Sequence, residues 1–184
     1  MPRRKDRELD DQTSLHRLGL AGHAAAAGCR TKGRGVSSPT VFISYSHRDE
    51  DWKARVCAQL GVLVQQGLVD TWDDRRIAVG DEWRPEIEAA MASAKAAVLL
   101  VSADFLTSDF ILKSEVPTLL EQRDQEGLRI IPLIVRPCAW QTVPWLARLQ
   151  CRPRDGRPLS AGDDNEIDQD LADLALEINS LLNP

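Results

Sequence analysis

TVFISYSHRDEDW, residues 40–52, changes character halfway along. Val41 to Tyr45 form an apolar run the length of one strand, and Ser46, His47, Arg48, Asp49, Glu50 and Asp51 follow without an apolar residue among them. A strand that is apolar throughout, with no alternation, is expected where both faces of a sheet are covered, as in a parallel sheet. The polar residues then leave the carboxyl end of that strand. They run into a helix: Trp52, Val56, Leu60, Leu63 and Val64 recur at helical spacing, acids crowd the amino end and Gly67 stops it. The cluster of Ser, Tyr, His and Arg between strand and helix reads either as a strand meeting water or as the floor of a binding site.

Outward from this unit the pattern repeats. LVDTW (68–72) predicts a short second strand and DDRRIAVGDEW (73–83) a polar loop turning at Gly80. A helix is predicted from Asp81–Pro85 to about Ala94, with Trp83, Ile87 and Met91 on one face. AAVLLVS (96–102) is a third strand. FILKSEVPTLLEQRDQ (110–125) is a helix disturbed by Pro117, which belongs in a first turn; a looser turn over Phe110–Lys113 and a regular helix from about Ser114 are expected. RIIPLIV (129–135) is a fourth strand, residues 136–160 are irregular with room for a short strand near Leu149, and a last helix is capped by Asp163 or Asp164, with Ile167, Leu171, Leu174, Ile178 and Leu181 on one face. Alternating strands and helices predict an α/β fold with a doubly wound, five-stranded parallel sheet in the flavodoxin-like order 2-1-3-4-5. In that order ligands bind beyond the carboxyl ends of strands 1 and 3, where the order reverses. Ser44 to Arg48, Ser102 to Asp104 and the segment up to Glu115 converge there.

The chain of 184 residues is 43% hydrophobic and 28% charged, enough for one domain with its own core. Charge is unevenly spread: residues 1–40 hold eight Lys/Arg against four Asp/Glu, and residues 41–184 hold 15 against 24. We read 1–38 as a disordered basic leader and 39–184 as one acidic domain. An acidic domain argues against direct nucleic-acid binding. No apolar run approaches the ~20 residues of a membrane span, so no membrane association and a cytoplasmic location are expected. Cys29, Cys57, Cys138 and Cys151 make no C-x-x-C pair, and Cys57 reads as a small buried hydrophobe.

Phosphate-binding glycine loops, the G-x-S-x-G elbow and H-E-x-x-H are all absent. Of three histidines, His16 and His23 lie in the leader, so no metal centre is expected. Glu115 is the most suggestive carboxylate, between apolar neighbours beside the predicted crevice. From position alone the stronger reading is a first-turn Glu favoured by the helix dipole.

Four segments in order resemble the Toll/interleukin-1 receptor (TIR) domain family, in its bacterial form, over residues 40–182. VFISYSHRDEDW resembles the first box. WDDRRIAVGDEW resembles the second, the BB loop. AAVLLVSADFLTSDFILKSEVP resembles the third strand with the helix carrying the family's glutamate, and IIPLIVRPCAW the third box. The resemblance implies one of two activities. Many bacterial and plant members cleave NAD⁺ between nicotinamide and ribose, giving ADP-ribose or a cyclic isomer, with NAD⁺ as substrate and no cofactor. Other members are non-catalytic scaffolds that signal through BB-loop contacts. For the enzymatic reading Glu115 is the catalytic residue, and Tyr45, Ser46, Arg48, Trp83, Phe110 and Ile111 are substrate-binding candidates. Ile111 stands where relatives often have Trp, and Arg48 is left as the cation for the diphosphate. Asp74, Arg75, Arg76, Ile77 and Gly80 are the BB-loop residues expected in self-association. The reading implies an NAD⁺ glycohydrolase of bacterial immune defence or toxicity, switched on by TIR–TIR contacts and by a separate activating protein.

Overall fold

The computed structural model describes residues 38–74 and 83–184. The leader up to residue 37 and the BB-loop candidates Arg75, Arg76, Ile77 and Gly80 lie outside the described residues, as does the side chain of Trp83. Four parallel strands make the sheet: β1 (Thr40–Ser44), β2 (Asp70–Trp72), β3 (Ala94–Val101) and β4 (Arg129–Ile134), in the order β2-β1-β3-β4. Between them run α1 (Glu50–Gln65), α2 (Trp83–Ser93), the one-turn α3 (Ala103–Leu106) and α4 (Val116–Glu126). The long helix α5 (Asp164–Leu182) follows the irregular segment after β4. The order reverses between β1 and β3, whose pairing sets Ser44 opposite Leu99.

Successive strand residues point to opposite faces, and both faces are covered. Val41, Ile43, Val98, Leu100 and Leu133 pack under α1 and α5 against Val56, Leu60, Leu171, Leu174 and Ile178. Phe42, Leu99, Val101 and Ile134 pack on the other face against Ile87, Met91, Phe105 and Leu119. That is why these strands read as apolar throughout. Phe42 also stacks on Trp72, its partner in β2, with ring centroids 5.3 Å apart. Leu133 is fully buried, so Leu133→Ala is expected to cost about 2–5 kcal/mol. The check is a lowered urea midpoint with an unchanged denaturant slope.

Three expectations need correction. The fifth strand, expected near Leu149, is reduced to one parallel bridge between Arg152 and Leu133. The Arg152 N–H donates to Pro132 O at 2.7 Å and the Ile134 N–H to Arg152 O at 2.8 Å. Pro153 then has no N–H with which to extend the ladder, and Gly156, at φ +74°, turns the chain away. Before α4, the looser turn expected over Phe110–Lys113 is a π-helical turn over Ile111–Glu115, closed by the Val116 N–H on Ile111 O. The regular helix starts at Val116 rather than Ser114. Pro117 donates nothing backward and its ring crowds the carbonyl four residues earlier, so the turn before it widens. Finally, Leu181 is exposed on the last turn of α5 while its neighbour Leu182 meets the core. The amino end of α5 is closed as a capping box: Asp163 accepts from the Glu166 N–H, and Glu166 from the Asp163 N–H.

Candidate functional site

The carboxyl end of β1 carries the site because two adjacent residues there face opposite ways. Ser44 points to the α2–α4 side, where its hydroxyl donates a short hydrogen bond to Glu115 Oε2. Glu115 is the last residue of the π-helical turn and only 7% exposed. A π turn carries one residue more than an α turn and so shifts the direction of the side chain at its end. Burial pushes the Glu115 carboxyl up to about 7; the Ser44 hydrogen bond draws it back and the negative charge of Asp74 raises it again. A carboxylate in so dry a place acts strongly on any cation beside it, since little water screens the pair.

Tyr45 points to the other side and ties the loop ends together. Its hydroxyl lies 2.9 Å from Glu50 Oε2 and 2.8 Å from Asp74 Oδ1. A phenol has one proton to give. Lys53 Nζ, 2.7 Å from Glu50 Oε1 and 5.3 Å above the Tyr45 ring, already compensates Glu50, so Asp74 has the greater need of that proton. Burial first, then the Asp74 hydrogen bond, hold the phenol far above its ordinary range, so Tyr45 is a neutral donor. His47 Nε2 lies 3.5 Å from the other oxygen of Asp74. Tyr45→Phe leaves Asp74 without its phenol donor. It is expected to cost about 1–3 kcal/mol, read from the urea midpoint.

Ser46 caps the short turn His47–Asp49 by accepting from the Arg48 N–H. Arg48 is exposed, its Nε 3.5 Å from Asp104 Oδ1. Phe110 precedes the π turn, half-buried against the core. Ile111 is 3% exposed and packed within that core, so its side chain is committed to packing. Asp74 is the one BB-loop candidate whose contacts are described; it meets the Tyr45 hydroxyl, and its charge raises the Glu115 carboxyl.

Sequence reasoning brought Ser102 and Asp104 to this edge but passed over Asp49 and Arg136, which join them in a second cluster on the β3–β4 side. Asp49 stands where an N-cap of α1 belongs, yet its carboxylate makes no capping bond. It accepts instead from Ser102 Oγ at 2.5 Å and from Arg136 Nε at 2.8 Å, and it is 1% exposed. Arg136 also bonds Asp104. The available signal was position: Arg136 comes two residues after β4 and Ser102 directly after β3, both at the carboxyl edge.

Two surface cavities, of about 620 and 430 Å³, lie elsewhere, along residues 140–157 and α5; none of Ser44, Tyr45 and Glu115 lines them. Among the described residues no His/Cys/Asp/Glu group is arranged to hold a metal ion, and no helix is long and apolar enough to cross a membrane.

Comparison with known proteins identifies the family and the fold. A family model described as TIR domain matches residues 41–171. An uncharacterized protein of Sinorhizobium fredii, y4lF, is 37% identical over 126 residues; the match takes in 68% of this chain but 39% of the relative, so the chain spans well under half of that protein. Among solved structures, the TIR domain of the Toll-related receptor TRR-2 from Hydra magnipapillata has a TM-score of 0.50 at 19% identity, over 76% of this chain and 97% of that one. A prokaryotic SEFIR domain has a TM-score of 0.50 at 21% identity, over 80% and 94%. These two likenesses are of fold alone. With one family model matching well over half its length, the chain belongs to the TIR domain family.

Proposed function

We propose that this chain is an NAD⁺ glycohydrolase, and the observation that carries the proposal is Glu115: a buried carboxylate held by Ser44 at the switch point of the sheet. The C–N bond between ribose and nicotinamide breaks with its electron pair going to the ring nitrogen, so nicotinamide leaves neutral and needs no acid to protonate it. The sugar is left as an oxocarbenium-like cation, as in glycoside hydrolysis. Glu115, ionised, stabilises that charge. Water adds to the sugar carbon and loses a proton, giving ADP-ribose; attack by a group of the same molecule gives a cyclic isomer. Tyr45, Ser46, Arg48, Phe110 and Trp83 border the substrate in this reading, and contacts through the segment from Asp74 to Gly80 assemble the active form. The setting is bacterial defence or toxicity in the cytoplasm, with a separate activating protein.

A second reading is a non-catalytic module signalling through the same loop. It is favoured by Ile111, which packs into the core and offers no aromatic wall to a nicotinamide ring. Chromatography of NAD⁺ incubated with concentrated protein and a crowding agent separates the two. Nicotinamide release by wild type that disappears in Glu115→Ala supports the enzyme. No release from assembled wild type, with assembly verified by light scattering, leaves the scaffold.

A further inference from the structure

We propose that Arg136 is a further anion-binding residue of this crevice, and that Asp104 is an internal competitor that holds the same guanidinium until a phosphate displaces it. The inference rests on the reading of the crevice as an NAD⁺ site; it adds a residue set for the diphosphate that joins the two nucleosides.

Arg136 is fixed from below. The Val135 N–H donates to Val101 O at 3.0 Å, carrying the β3–β4 pairing one residue past the strands and setting the Arg136 backbone at the carboxyl edge. Asp49 then holds the side chain, meeting Nε at 2.8 Å and Nη2 at 2.7 Å, with Ser102 Oγ on its other oxygen. A fully buried carboxylate is costly unless paired and hydrogen-bonded. A residue needed only to cap α1 would turn to the helix amides; Asp49 turns from them to orient Arg136. Nε and Nη2 are thus engaged, while Nη1 has no partner among the described residues and the side chain is 37% exposed. The guanidinium fork is anchored along one edge and presents the other to solvent.

Asp104 occupies the space between two such forks. It bonds Arg136 Nη2, and its other oxygen lies 3.5 Å from Nε of Arg48, a side chain 81% exposed with no other ion pair among the described residues to restrain it. Two guanidinium groups around one carboxylate form a receptor for an oxyanion, and phosphate carries more charge and more acceptor oxygens than carboxylate. Asp104 orders the pair and, with Asp49, offsets its two positive charges. It also weakens every anion that approaches.

The signs of the expected effects differ between neighbours. With ADP as the probe and adenosine as the phosphate-free control, Arg136→Gln is expected to raise the Kd for ADP about tenfold and leave that for adenosine unchanged. Asp104→Asn, of equal size, is expected to lower the Kd for ADP by about three- to tenfold. Asp49 is a positioning residue: Asp49→Asn is expected to raise the Kd for ADP alone, by acting through Arg136. The titrations use the full chain and inorganic pyrophosphate as a second probe. An unfolded variant cannot bind more tightly, so the Asp104→Asn arm decides even where Arg136→Gln or Asp49→Asn lowers stability. Unchanged or weaker ADP binding by Asp104→Asn overturns the proposal. If wild type still releases nicotinamide, the NAD⁺ reading survives that failure. Binding of neither ADP nor pyrophosphate by wild type overturns the proposal, and only when assembled wild type also releases no nicotinamide are both overturned.

Discussion

Glu115→Gln is expected to lower kcat/KM for nicotinamide release by about a hundred- to a thousandfold, the loss that follows removal of one preorganised electrostatic partner of a transition state, about 3–4 kcal/mol. Glutamine has the same shape and can accept the Ser44 hydroxyl through its carbonyl oxygen, so the change isolates charge from packing. Nicotinamide departs neutral, and the positive charge develops on the ribose; only the ionised carboxylate answers it. Burial, partly offset by Ser44 and reinforced by Asp74, holds the carboxyl near 7. In wild type kcat/KM should therefore rise with pH through about 7 and level off above it, because the free enzyme's ionisation governs that parameter. The residual activity of Glu115→Gln should lack this rise. A glutamine variant of undiminished activity excludes Glu115 as the group that stabilises the cation, and a wild-type profile flat from about pH 5.5 to 8.5 contradicts the raised carboxyl.

The sheet was legible because its signal is redundant. Val41–Tyr45, Ala96–Val101 and Ile130–Val135 are apolar at nearly every position, and only a strand covered on both faces requires that. The last helix was legible for a similar reason, with a cap and a face of apolar residues. What failed was local. The bridge at Arg152 rests on two backbone hydrogen bonds beside Pro153, a feature without hydrophobic periodicity. The π turn depends on how the chain accommodates Pro117, and a periodicity argument sees the proline but not which residue absorbs it.

The site divided in the same way. Glu115 was visible as a carboxylate among apolar neighbours near a strand end. Ser44 was visible as a residue converging on the same strand end but not as its partner, because a serine 71 residues away in sequence is brought to it by the β1–β3 crossover. Asp49 was read as one of several acids at a helix amino terminus, a role its neighbours Glu50 and Asp51 fill. Its real partners, Ser102 and Arg136, lie 53 and 87 residues away. Charge runs look alike in sequence; the one residue of the run that folding buries is known only from the folded chain.

That burial has a thermodynamic consequence at Glu115. The carboxyl titrates near 7 in the folded chain and at its ordinary value of 4.5 when the chain unfolds. Between these values the native state keeps a proton that the unfolded state releases, so stability falls as pH rises across the window. Below 4.5 both states are protonated and the residue has no effect; above 7 the full penalty applies, about 3 kcal/mol for a shift of this size. A glutamine at this position has no proton to release. The difference in unfolding free energy between Glu115→Gln and wild type should accordingly be small at about pH 4.5 and grow to about 3 kcal/mol in favour of the variant at about pH 8. Urea midpoints of both chains at the two pH values measure it. Titrating groups that do not interact with Glu115 contribute alike to both chains and cancel in the difference. Equal differences at both pH values contradict the raised carboxyl. An increase toward the higher pH, together with lost turnover, means that the negative charge at position 115 weakens the fold at the pH where it is present, as expected for a charge held for chemistry rather than for packing.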